Sequence, residues 1–308
     1  MAGKRRILCR ASILFVVLTS IPATGAPVAW RIGAESGLVE GEAREVFYST
    51  SPDRYRVSEL TWDISQVWIA GVRVEADITG KVSACVRHSI ALSRGTGEMT
   101  DVDWTERGAP WSDRSCGAAR VLDGSVLDVH LAVELVERDA LRLRGLLGYR
   151  GNEWSWHDWG GTFVYSSPGG FRDMAGRFPP GVGIRYRQST DMPYIGLDLA
   201  SDGRDFGFRA EVLYSPLVSG RNSDEHVLRG FSTSGSFSGG FGMLLRAVAE
   251  WRMREDLSFV AAAGYEKVDE IEGDNSIYGY EGSSFFVPNG AGLSHEALSA
   301  TVGVAWRP

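Results

Sequence analysis

Apolar residues in this chain recur with a period of two. Leu127, Val129, Leu131, Val133 and Leu135 alternate with Asp128, His130, Ala132 and Glu134. After Glu137-Arg138-Asp139, the series Leu141, Leu143, Gly145, Leu147 and Tyr149 resumes the alternation against Arg142, Arg144 and Leu146. Such a pattern predicts two long antiparallel strands joined by a tight turn. Followed along the chain, it predicts strands over residues 40–49, 57–78, 82–92, 126–136, 141–165, 184–199, 206–219, 241–253, 257–268 and 297–306. Short turns at 79–81, 137–140, 201–204 and 254–256 alternate with longer, polar connections at 93–125, 166–183, 220–240 and 269–296. Only 50–56, among the connections on the long side, is modest.

Short turns at one end and long loops at the other are the pattern of an outer-membrane barrel. The expected fold is therefore all-β: a ten-stranded antiparallel transmembrane β-barrel with long extracellular loops. Alternation alone also suits a secreted β-sandwich, and the loop asymmetry separates the two. The last strand places Ala300, Val302, Val304 and Trp306 on one face, and closure would remove the free sheet edges that lipid does not tolerate. A barrel of this size has a lumen largely filled by side chains, which argues against a porin.

The N-terminus says where such a barrel is sent. Lys4, Arg5, Arg6 and Arg10 precede a short apolar stretch, Ile13 to Ile21, and then small residues at Ala23-Thr24-Gly25. This is the pattern of a secretory signal peptide over 1–25, leaving 26–308 as one domain. Its removal makes the mature chain more acidic than the formal net charge of −7 for the whole sequence. An acidic exported protein is not expected to bind nucleic acid, and acid gathered in a groove would attract cationic peptides. Cys85 and Cys116 are the cysteines left after processing, too few for a disulfide scaffold; a bridge between them is not expected.

Candidate chemistry lies in two of the long connections. Asp101-Val102-Asp103-Trp104 and Asp224-Glu225-His226 each carry two titratable side chains at i and i+2, which share a face if the stretches are extended. Three carboxylates and an imidazole are the parts of a hydrolase that activates water. The same groups could in principle hold a divalent cation.

A set of further motifs stands around them: Trp111-Ser112-Asp113, Tyr165-Ser166-Ser167, Gly170-Phe171-Arg172-Asp173, Met192-Pro193-Tyr194-Ile195-Gly196-Leu197 and Asn289-Gly290-Ala291-Gly292. Taken in order over nearly the whole mature chain, they resemble the omptins, outer-membrane endoproteases of Gram-negative bacteria. The resemblance implies a monomeric ten-stranded barrel in the cell outer membrane, with its active site facing outside. It implies an aspartic-class endopeptidase without metal or cofactor, in which Asp101 and Asp103 face Asp224 and His226 across a cleft. His226 would be the general base, since an imidazole takes up protons near neutrality. Asp224 would orient it, and the Asp101–Asp103 pair would hold water and a shared proton. Partners would be peptides or proteins cut beside Arg or Lys, with Met99 and Ile184 lining the cleft.

Two departures from the family pattern follow. The acidic pocket for the basic residue keeps Glu45 but has Asn222 where the second acid belongs, and Arg44 stands next to Glu45. The family's lipopolysaccharide, an activator bound outside the barrel by basic residues, would meet Tyr149, Gly151, Glu153 and Ser189. Dependence on that lipid would then rest on other cations, such as Arg150, Arg185 or Arg187. A barrel acting without catalysis, as an adhesin or structural protein, is the alternative that these changes leave.

Overall fold

A computed structural model describes residues 28–279 and 282–308. The expected signal peptide lies outside the described residues. Within them the chain forms twelve antiparallel strands: β1 Ala29–Tyr48, β2 Arg56–Thr79, β3 Val82–Ala91, β4 Glu98–Asp103, β5 Asp113–Arg138, β6 Leu141–Tyr165, β7 Met174–Arg177, β8 Val182–Asp202, β9 Phe206–His226, β10 Phe231–Arg252, β11 Leu257–Gly279 and β12 Ser284–Trp306. Both β3 and β4 lie between β2 and β5, so together they fill one place in the wall, and β7 is a short flap on the end of β6. The result is a closed ring of ten positions, sealed where β1 pairs with β12 from Ile32↔Trp306 to Phe47↔Ala291.

One end of the ring has the tight turns at 80–81, 139–140, 203–205 and 253–256, together with both strand termini. From that end upward, outward-facing side chains form an apolar band that includes Val72, Leu131, Leu147, Ile195, Val212 and Val302. Leu147 is 65% exposed and Phe206 68%, an exposure that suits contact with hydrocarbon rather than water. On β2 the outward face passes from Val72 and Trp68 to Asp63, Thr61 and Glu59. That change marks the top of the band. It coincides with a bulge opposite Val39 and Gly41, where Gln66 adopts a φ of 54° and donates its N–H to Glu40 Oε1 at 2.8 Å.

Inside the band the lumen is crossed by ion pairs. Arg144 Nε donates to Asp198 Oδ2 at 3.0 Å and its Nη1 to Glu75 at 3.1 Å, while Arg87 Nη1 donates to Glu211 at 2.8 Å. Higher up, Arg150 Nε donates to Glu266 at 3.0 Å. Buried charges of this kind persist only because each has a partner with good geometry. The expectation that Arg150 could serve a lipid on the exterior is corrected here, because its guanidinium points inward.

The walls continue as strand well above the band, through stretches that the sequence pattern assigns to loops. Residues 98–103, 113–125, 220–226, 231–240, 269–279 and 284–296 are all in register with their neighbours. Above the lipid the outer face meets water, so polar residues stand on it as well and the alternation that marks a membrane strand is lost. Backbone pairing remains. Two apolar clusters fill the upper lumen and floor the rim: one around Trp62, Trp156, Tyr186, Met99 and Ile184, the other around Phe237, Val268, Ile271 and Leu293. Trp62 stacks on Tyr186 with centroids 5.3 Å apart and planes 8° from parallel. Cys85 and Cys116 are both free.

Candidate active site at the rim

The pairing of β2 with β4 sets Leu60 against Asp101 and Ser58 against Asp103, so β4 holds both acids on the inner side of one wall. Opposite them β9 ends in Asp224-Glu225-His226, paired to Thr233, Ser232 and Phe231 of β10 and to Tyr186, Arg185 and Ile184 of β8. The i, i+2 spacing works as it should on a strand: Asp224 and His226 turn inward and are buried, while Glu225 turns out and pairs with Arg185 at 2.8 Å.

His226 Nε2 lies 2.7 Å from Asp224 Oδ2. The other side of the ring is braced by Phe231, stacked with centroids 4.3 Å apart and planes 18° from parallel. Asp101 is buried and accepts a hydrogen bond from Ser58 Oγ at 3.3 Å. Burial and then the neighbouring charge of Asp103 push the Asp101 carboxyl up to about 7. Asp103 is raised as well, again chiefly by burial. The two acids therefore suit a state in which they hold a proton near neutrality.

Beneath this quartet sits Glu45, fully buried, in register with Leu60 and hence separated from Asp101 by the single strand β2. Asn222 Nδ2 donates to Glu45 Oε1 at 2.6 Å. Glu45 Oε2 and Asn222 Oδ1 are left buried without a hydrogen-bond partner. Burial, then the nearby Asp224 and Asp101, hold the Glu45 carboxyl well above the usual range. Arg44 does not neutralise it: alternation turns Arg44 outward, where it pairs with Glu42. Met99 and Ile184 stand in the apolar floor beside Trp62 and Tyr186.

Four groups near the quartet escape a reading of the sequence alone. Ser58 and Phe231 are ordinary residues whose role comes only from register. Asp158 accepts the backbone N–H of Ile184, the residue paired with His226, beside a bulge at Gly160-Gly161. Arg229, in the turn between β9 and β10, reaches across to Asp101 and Tyr165. Only the glycine after it hints at a tight turn there.

Among the described residues no cluster of His, Cys, Asp and Glu is arranged to hold a metal ion. A membrane barrel carrying an Asp–His couple and an acid pair at its rim is the architecture of an outer-membrane protease. The Omptin family profile matches residues 27–307, and the chain belongs to that family. It is 26% identical over 275 residues to the outer membrane protease OmpP of Escherichia coli K12, covering 88% of this chain and 87% of the relative. It is also 26% identical over 279 residues to Protease 7 of the same strain. The crystal structure of the E. coli outer membrane protease OmpT superposes with a TM-score of 0.87 at 24% identity, over 91% of this chain and 97% of that one. This protein is accordingly a bacterial outer-membrane protease of the omptin family.

Proposed function

We propose that the rim cleft faces the cell exterior and hydrolyses peptide bonds next to Arg or Lys by direct attack of water. The observation that carries this is the meeting of His226–Asp224 at 2.7 Å with a buried Asp101, flanked by half-buried Asp103, above the buried Glu45. With Nε2 turned to Asp224, Nδ1 of His226 is free to take a proton from water. The hydroxide formed attacks the carbonyl carbon, and the Asp101–Asp103 pair donates a hydrogen bond to the developing oxyanion. Asp224 stabilises the imidazolium, which then returns its proton to the leaving amine. No acyl-enzyme forms, because no side chain is the nucleophile.

The residues around Glu45 support the choice of a basic residue. Asn222 Oδ1 is a buried acceptor without a donor, and Glu45 becomes a second one once its proton leaves; a guanidinium or ammonium would supply both. Binding a cation also favours release of the proton that burial holds on Glu45. Lipopolysaccharide is expected to matter little to the rate. Of the exterior cations, Arg187 is paired with Glu153 and Arg185 with Glu225, so neither is an open phosphate site.

Refolded protein should cleave a quenched peptide containing a single Arg, and His226→Ala and Asp101→Ala should each abolish cleavage without loss of the folded barrel. Equal rates in all three proteins would end the proposal.

A further inference from the structure

The turn from β9 to β10 is four residues, 227–230, and is held at both ends. Val227 N–H donates to Gly183 O at 2.8 Å, and Gly230 N–H donates to His226 O at 2.9 Å with Gly230 at a φ of +74°. This fixes the base of Arg229 directly above His226. Its side chain crosses to the other wall: Nη2 donates to Tyr165 Oη at 3.1 Å and stands 3.9 Å from Asp101 Oδ2. At 3.9 Å the carboxylate attracts the guanidinium without a hydrogen bond, and the side chain stays 46% exposed. Donors therefore remain for a ligand.

The cleft thus has a buried acid at its floor, Glu45, which a bound cation would ionise, and a cation at its rim, Arg229. An extended peptide directs successive side chains to opposite faces. If the basic side chain points down to Glu45, the residues immediately flanking it point up toward Arg229. We propose that Arg229 is a specificity residue: it makes this protease favour an acidic neighbour beside the basic residue and reject a second basic one. The inference rests on the proposed cleavage next to Arg or Lys and adds the charge of the adjacent position. A dibasic site should therefore be a poor substrate, although its total charge suits an acidic cleft. Fixed charges facing a bound chain act through repulsion of the wrong ligand as much as attraction of the right one.

The experiment uses peptides that share one Arg and differ in the residue on either side: Asp, Ala or Lys. Cleavage by the wild-type protein is measured as kcat/KM. Binding of the same peptides is measured separately to the full-length His226→Ala protein and to the double variant His226→Ala/Arg229→Glu. Asp-flanked peptides should exceed Lys-flanked ones by roughly tenfold in both measurements, the size expected of a partly screened charge pair. Arg229→Glu should reverse the order. Binding that does not distinguish Asp from Lys, absence of binding included, overturns the role of Arg229. Binding that shows the expected order while the wild-type protein cuts no peptide overturns instead the proposed hydrolysis, and leaves the rim charge established.

Discussion

Glu45→Gln separates recognition from folding. Glutamine keeps the size of the side chain and an acceptor for Asn222, whose Nδ2 donates to Glu45 Oε1 at 2.6 Å. It removes the charge and points an N–H₂ into the pocket where the substrate's own donors must go. For a cation about 4 Å from the lost carboxylate, Coulomb's law gives about 4 kcal/mol at an effective dielectric of about 20 and about 1 kcal/mol in water. Deprotonating Glu45 on binding takes back part of this, so a loss of about 2–3 kcal/mol, or roughly 30–150-fold in kcat/KM for an Arg peptide, is expected. Stability should move the other way. Burial raises the Glu45 carboxyl in the folded state, so the stability it contributes is full below its unfolded pKa and is lost as pH rises through the higher folded one. Glutamine has no such loss, so the variant should melt no lower than wild type and gain on it as pH rises. The assay is kcat/KM on paired Arg and Ala peptides, with thermal unfolding in detergent followed over pH. An unchanged preference for Arg, or a barrel that melts well below wild type at alkaline pH, would refute the reasoning.

Asp103→Asn should lower the Asp101 carboxyl from about 7 by removing the like charge beside it. Because the proposed mechanism uses the protonated acid pair, the alkaline fall in kcat should move to lower pH, which a pH–rate profile tests. Arg144→Met leaves Asp198 buried without its main partner and takes one of three arginines from Glu75, which keeps Arg73 and Arg209. It is expected to destabilise the barrel by about 3–5 kcal/mol, read by thermal or denaturant unfolding. Leu147→Arg places a charge on the lipid face and should cost about 2–4 kcal/mol in bilayer folding, with little effect on kcat of the folded fraction.

The membrane part of the fold is legible because lipid imposes a rule on the outside of each strand. Leu131, Val133 and Leu147 obey it, while the inward residues find partners inside the lumen, Asp128 with His130 and Arg144 with Asp198. Above the band no such rule acts, and so 98–103 and 220–226 look like loops although they are ladder. The proposed catalytic set is visible through its spacing, Asp101 with Asp103 and Asp224 with His226, since period two is the geometry of the strands that carry them. Arg229 and Ser58 are invisible for the opposite reason. Each acts across a pair of strands far apart in sequence, and nothing local marks an arginine in a turn as one that spans a cleft. The Glu45–Asn222 contact joins residues 177 apart, and only closure of the ring brings it about.

The ion pairs that cross the lumen have a consequence for the cell as well as for the barrel. Arg144, Arg87 and Arg150, each locked to an acid, set paired charges across the lumen in the way of any solute that enters from either mouth. Passage would require those pairs to part, so little leak through the molecule is expected. An envelope can carry many copies of this hydrolase and keep its permeability barrier, because the chemistry is confined to the rim of a stoppered cylinder.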